Sequence, residues 1–149
     1  MIQRIQTIYL LAVTILLILC MCFPVGTFLE NNSISTFTNL CVTNDVGVSD
    51  YSPWAMFAIL IISTLLSLST IFMFKKRMLQ IRLTIFNIIL LVGYYATLIT
   101  FIFILKGDNS SFSINWTVCL PLIAIILDWL AIRAIGKDEM LVKAYDRLR

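Results

Sequence analysis

Histidine is absent from the 149 residues, and charged residues make up only 13% of them. Without imidazole there is no Ser-His or Cys-His nucleophile pair, no histidine zinc site and no histidine haem ligand. Glycine and proline are also scarce, at five and three. None of the glycines falls in a phosphate-cradling motif, and no two acidic residues share a helix face at membrane depth. The sequence therefore points away from an enzyme and implies no cofactor or metal. A net charge of +3, from 11 Lys+Arg against 8 Asp+Glu, is too small and too evenly spread for a nucleic-acid partner. What remains is apolar: 60% of residues are hydrophobic, with a mean hydropathy of +0.98. Soluble domains carry about a quarter charged residues, so this is the composition of a membrane protein whose first partner is the lipid bilayer.

A hydrocarbon core about 30 Å thick needs about 20 apolar residues of helix. Four runs meet that length, at about 5–24, 54–74, 83–105 and 116–135. Pro24 and Gly26 close the first, and Lys75, Lys76 and Arg77 stop the second. Tyr9, Tyr51, Trp54 and Trp116 lie at run ends, where amphipathic aromatics sit at a membrane interface. A cleaved signal peptide is the other reading of the first run, but the run is long for that role and no A-x-A-like site follows it. The expected fold is all-α, a four-transmembrane-helix bundle in one integral domain over residues 1–149.

Orientation follows from the cations. Arg4, the turn with Lys75, Lys76, Arg77 and Arg82, and the tail with Arg133, Lys137, Lys143, Arg147 and Arg149 all fall on one side, which is ten of the eleven basic residues; only Lys106 falls on the other. Positive loops stay in the cytoplasm, so both termini are expected there, with loops 27–52 and 106–115 facing outward. The alternation in Ile34–Leu40, the Asn44-Asp45 turn and Ser111–Asn115 after Gly107-Asp108-Asn109 predict a small hairpin-like cap of two or three strands on the outer side. An irregular polar loop is the alternative, because isolated hairpins are marginal.

The four cysteines, Cys20, Cys22, Cys41 and Cys119, lie toward the outer side. Cys41 with Cys119 is the candidate disulfide, against the simpler reading of four free, packed thiols. Cys20 and Cys22, two apart on a helix, point in different directions and do not form a metal pair.

Asp128 is the acidic residue at membrane depth, where a charge costs at least ~2.5–3.5 kcal/mol on insertion scales. Counting about 1.5 Å per residue places it about 10 Å from the inner end of its helix, level with Asn87, Ser67 and Thr14. One intramembrane polar layer of Asp128, Asn87, Ser67 and Thr14 is expected. Its bland role is helix packing, which Ser63, Ser67 and Thr70 would share; its sharp role is an ion or proton path. Arg133, about 140° around the helix from Asp128, is expected to snorkel toward the cytoplasm rather than pair with it. Tyr94 and Tyr95 read as ordinary lipid-facing or core aromatics.

After Gly136, expected to interrupt the last helix, the tail 137–149 places Met140, Leu141, Ala144, Tyr145 and Leu148 on one apolar stripe, with Glu139 and Lys143 paired on another face. The stripe is expected to dock a membrane or cytoplasmic protein, or else to fold back on the Lys75–Arg82 turn.

The start, Met1-Ile2-Gln3-Arg4-Ile5-Gln6-Thr7-Ile8-Tyr9-Leu10, and the end, Leu130-Ala131-Ile132-Arg133-Ala134-Ile135-Gly136-Lys137-Asp138-Glu139 followed by Leu141-Val142-Lys143 and Asp146-Arg147-Leu148-Arg149, resemble a family of small four-span inner-membrane proteins of Bacteroidota described only as a domain of unknown function. The resemblance implies a bacterial inner membrane. It implies no glycan on Asn31, Asn109 or Asn115, each of which begins an Asn-x-Ser/Thr triplet, and it supplies no substrate. Two readings stand beside each other: a non-enzymatic accessory or structural subunit of a membrane complex, and a small transporter or channel using the layer around Asp128.

Overall fold

The structure, a computed structural model, describes residues 2–30, 33–73, 75–106 and 110–148, with side chains from residue 5 onward. Four long helices, α1 (Ile2–Cys22), α2 (Trp54–Phe72), α3 (Arg77–Leu105) and α4 (Cys119–Arg147), are joined through a small sheet at one end and a short turn at the other. The sheet consists of β1 (Gly26–Glu30), β2 (Ser33–Phe37), β3 (Val42–Thr43), β4 (Ser49–Asp50) and β5 (Ser111–Ile114). A 3₁₀ turn, Trp116–Val118, leads from β5 into α4.

Because α1 ends, α2 begins, α3 ends and α4 begins at the sheet, successive helices alternate in direction. α1 packs against α2 and α4, and α3 against α2 and α4. All four are long and apolar enough to cross a membrane. Their packing inverts the pattern of a water-soluble bundle. Gln6, Thr14, Ser63, Thr64, Ser67, Thr70, Gln80, Thr84, Asn87 and Asp128 are buried between helices, whereas Ile8, Leu65, Phe72, Phe86, Ile89, Phe103, Leu122, Ile126 and Trp129 are exposed around the outside. Small and polar side chains let helix backbones approach and hydrogen-bond, which is how helices associate where lipid already solvates the large apolar ones.

The helix limits differ from those read in the sequence. α1 stops at Cys22, two residues before Pro24. α3 starts at Arg77 rather than 83, because nothing between Arg77 and Arg82 breaks a helix and the buried Gln80 amide donates to Thr70 O at 3.3 Å. α4 passes through Gly136 without a break and ends at Arg147. Its 29 residues span about 43 Å, well beyond one hydrocarbon core, so the tail is the free end of α4 and not a separate helix.

The cap has five antiparallel strands in the order β4-β3-β2-β1-β5, where two or three were expected. The register pairs Gly26 with both Phe37 on β2 and Ile114 on β5. Gly26 is obligatory here: a Cβ would meet the Ser113 carbonyl oxygen and the Phe112 ring at 2.6 Å. Gly47 takes φ +82° in the turn joining β3 and β4, where Gly47 N–H donates to Asn44 O at 2.8 Å. Phe28, Phe37 and Phe112 form an aromatic cluster, with ring centroids 4.6 to 6.2 Å apart. Phe28 and Phe37 join Cys20, Met56, Leu98 and Leu120 in one continuous core, so the cap packs on the helix ends instead of standing alone.

Candidate functional site

At mid-helix, three elements converge on one hydrogen-bonded chain. Ser63 on α2 donates its hydroxyl to Asn87 Oδ1, and Asn87 Nδ2 donates to Asp128 Oδ2 at 2.7 Å. The two bonds fix the Asn87 amide from both sides. Asp128 has no solvent exposure, and its Oδ1 has no hydrogen-bond partner among the described residues. The expected layer is thus rearranged. Asn87 and Asp128 meet, but Ser63 is their third member in place of Ser67, which donates to Leu10 O on α1 at 3.2 Å. Thr14 is also outside the chain, since its hydroxyl returns to Leu11 O in its own helix at 2.7 Å. Ser63 and Ser67, one turn apart, share a face of α2 and differ in depth by about 6 Å; because α3 begins at Arg77 and not at 83, Asn87 lies about 15 Å from that helix's inner end, near the level of Ser63. Arg133 lies over the Trp129 ring, 5.7 Å from its centroid, and not on Asp128.

A second polar centre locks the cap to the bundle, and sequence reasoning missed it. Asn39, from the loop after β2, is buried among helix ends. Its Nδ2 donates to Cys20 O at 2.7 Å, and its Oδ1 accepts from the Tyr94 hydroxyl at 2.6 Å. Since that hydroxyl proton goes to Asn39, the Cys20 thiol, 3.9 Å away, donates to the Tyr94 oxygen. Tyr95 donates to Val118 O at 2.6 Å. Asn115 accepts from Trp116 N–H at 2.9 Å and donates to Pro24 O at 3.2 Å, so its amide is occupied at the start of the 3₁₀ turn. Asn31 and Asn109, with the turn Gly107-Asp108-Asn109, lie outside the described residues. The only signal for this centre was an Asn within an otherwise apolar and β-branched stretch.

All four cysteines are free: Cys20 is buried, Cys22 and Cys119 are exposed, and Cys41 is half-buried. The Cys41–Cys119 bridge is not formed; Cys41 lies in the β2–β3 loop with its sulfur 3.5 Å from Thr38 Oγ1. Among the described residues no group of three His, Cys, Asp or Glu side chains gathers to hold a metal.

At the opposite end, Arg77 approaches Asp138, with Nη2 3.4 Å from Oδ2 and Nη1 donating to Asp138 O at 3.4 Å. Gln6 Nε2 donates to Ala134 O at 3.3 Å. These contacts fasten α1 and α3 to α4 just where α4 leaves the bundle. Beyond them Glu139 and Lys143 pair at 2.9 Å. Met140, Leu141, Ala144, Tyr145 and Leu148 are all exposed, at 76% for Met140, 75% for Tyr145 and 87% for Leu148, so the stripe does not fold back on the Lys75–Arg82 turn. It is the other face of α4, with Glu139, Val142, Lys143 and Asp146, that confronts that turn across a groove of about 640 Å³.

No curated protein matches the chain. A family model described as a domain of unknown function (DUF4293) matches residues 2–148. Since that match takes in the cap, the tail and all four helices, the chain belongs to the DUF4293 family.

Proposed function

We propose that this chain is a multi-pass protein of a bacterial inner membrane, with both termini in the cytoplasm. In this reading it is a non-enzymatic structural or accessory subunit that docks another protein through the free end of α4. Membrane residence is supported by the apolar periphery of four long helices, a continuous exposed surface that soluble monomers do not carry. The orientation is supported by ten of eleven cations lying at the tail end. The observation that carries the docking role is the uncovered stripe of Met140, Leu141, Tyr145 and Leu148 on a helix that Arg77 and Gln6 contact at its base. An amphipathic helix with such anchors fits a groove on a protein partner, and the mixed charge of its other face is unlike a purely basic lipid-binding helix.

The test is copurification in mild detergent. Met140→Ser, Tyr145→Ser and Leu148→Ser together should remove a stoichiometric partner while the protein still inserts; an unchanged partner set refutes docking through the stripe. Reporter fusions after Asn44 and after Arg149 should read opposite compartments.

One observation favours a second reading, a small transporter or channel using Asp128: its Oδ1 lacks a hydrogen-bond partner among the described residues in a fully buried site. Proton-linked flux in proteoliposomes that Asp128→Asn abolishes would establish it.

A further inference from the structure

A groove lies between the start of α3 and the end of α4. Lys75, Lys76, Arg77, Arg82 and Lys143 line it, five cations against the two carboxylates of Glu139 and Asp146. Glu139 is committed to Lys143 at 2.9 Å and Arg77 to Asp138 at 3.4 Å, so among the described residues Asp146 is the lining carboxylate outside any ion pair. Met78, Leu79 and Val142 give the groove an apolar wall, and each remains well exposed. Its volume, about 640 Å³, lies within the roughly 300–1,000 Å³ of small-molecule sites. The first turn of the 29-residue α3 adds to the field: its N-terminal backbone has no side-chain cap and no acidic residue, and Lys76, Arg77, Met78 and Leu79 of that turn line the groove.

We infer that this groove binds the phosphate headgroup of an anionic phospholipid of the cytoplasmic leaflet. The inference rests on the membrane orientation proposed above, which puts the groove at the level of the headgroups. Charge complementarity selects an anion, since four of the five cations lie between Lys75 and Arg82, where α3 begins, and Met78 and Leu79 among them supply apolar wall. A free phosphate uses the cations but not Met78, Leu79 and Val142; a lipid uses both. The two faces of α4 then have separate tasks, because Glu139, Val142, Lys143 and Asp146 point into the groove while Met140, Leu141, Ala144, Tyr145 and Leu148 point away.

The test is titration calorimetry on the full-length protein in a maltoside detergent, with three probes: dihexanoyl phosphatidylglycerol, dihexanoyl phosphatidylcholine and inorganic phosphate. Saturable binding of the anionic lipid is expected, with the other two at least about tenfold weaker. The combined Lys75→Gln, Lys76→Gln and Arg82→Gln variant should lose at least about tenfold in affinity and most of the salt dependence. Arg77 is left in place because it also holds Asp138. Asp146→Asn should tighten binding, and it decides the matter if the triple variant does not fold. Equal binding of the zwitterionic lipid, or of the triple variant, overturns the inference; inorganic phosphate binding as tightly as the lipid overturns the lipid assignment. No lipid binding, with an acidic protein retained only by the parent, overturns it in favour of a protein partner. Alkaline-carbonate extraction reads membrane residence separately: protein released into the supernatant refutes the membrane reading, whereas retained protein that binds no anionic lipid refutes only the groove.

Discussion

At the cap end of the helices, Phe28, Phe37 and Phe112 cover the bundle, Asn39 spends its amide on Cys20 O and Tyr94, and Tyr95 and Asn115 tie the start of α4 to the rest. At the tail end, α4 runs on past its last neighbours with Met140, Tyr145 and Leu148 uncovered and a cationic groove beside it. The difference is one of closure. Where chain segments distant in sequence must be brought together, their polar groups are consumed in doing so; where a single helix simply continues, its side chains are left for something else. Local stability is expected to follow the same division, high where contacts are long-range and low where they are helical only.

The largest effect comes from opening the closed end. Gly26→Val puts a branched side chain where even a Cβ meets the Ser113 backbone at 2.6 Å, so β1 and β5 must separate and Phe112 must leave Phe28. Overpacking of this kind costs about 1–3 kcal/mol, and the upper half of that range is expected because the obstacle is backbone. Melting in detergent should fall accordingly, and exchange of the Val25 and Asn115 amides, which bond Phe37 O and Val25 O, should speed up. Unchanged melting would mean that the cap is not part of the bundle's cooperative unit.

A smaller loss is expected midway between the ends. Asp128→Leu leaves Asn87 Nδ2 without its acceptor in a buried site and loosens the bundle by about 1–2 kcal/mol. Asp128→Asn keeps an acceptor oxygen and should melt close to the parent. If Leu is as stable as Asp, the carboxylate holds no helices together, and the transport reading gains.

The four helices were legible in the sequence because a helix long and apolar enough to cross a membrane announces itself as an uncharged run of about 20 residues. The pairing of Asn87 with Asp128 was legible for a related reason, since two polar residues at one depth have little else to bond. Ser63 was not, because depth on α3 was counted from a start at 83, and the true start at Arg77 moves Asn87 about 9 Å farther from the inner end. The cap was underestimated because β3 and β4 have two residues each, too short for alternation to register, and β5 finds its partner β1 from the far side of two helices. The anchoring of Asn39 by Tyr94 joins residues 55 apart, a relation no local pattern carries. Gly136 misled for an energetic reason: a glycine interrupts a helix only when nothing else sustains it, and its cost is about 1 kcal/mol relative to Ala.

That cost supplies the smallest prediction, one that sharpens the reading of the open end. If Gly136 marked a hinge between membrane helix and tail, a Cβ there would stiffen a joint that needs to bend, and partner binding would suffer. The structure has no joint: α4 is continuous from Cys119 to Arg147, and a Cβ at Gly136 meets nothing within 4 Å. Gly136→Ala should therefore only remove backbone freedom from the unfolded chain and raise stability by about 0.5–1 kcal/mol, seen as a small rise in the melting midpoint and slower amide exchange from Lys137 onward. Copurification of any partner of the Met140–Leu148 stripe should be unchanged. Loss of that partner with the helix intact would show that the tail works by bending at Gly136, and the open end would then be a hinged arm in place of a fixed strut.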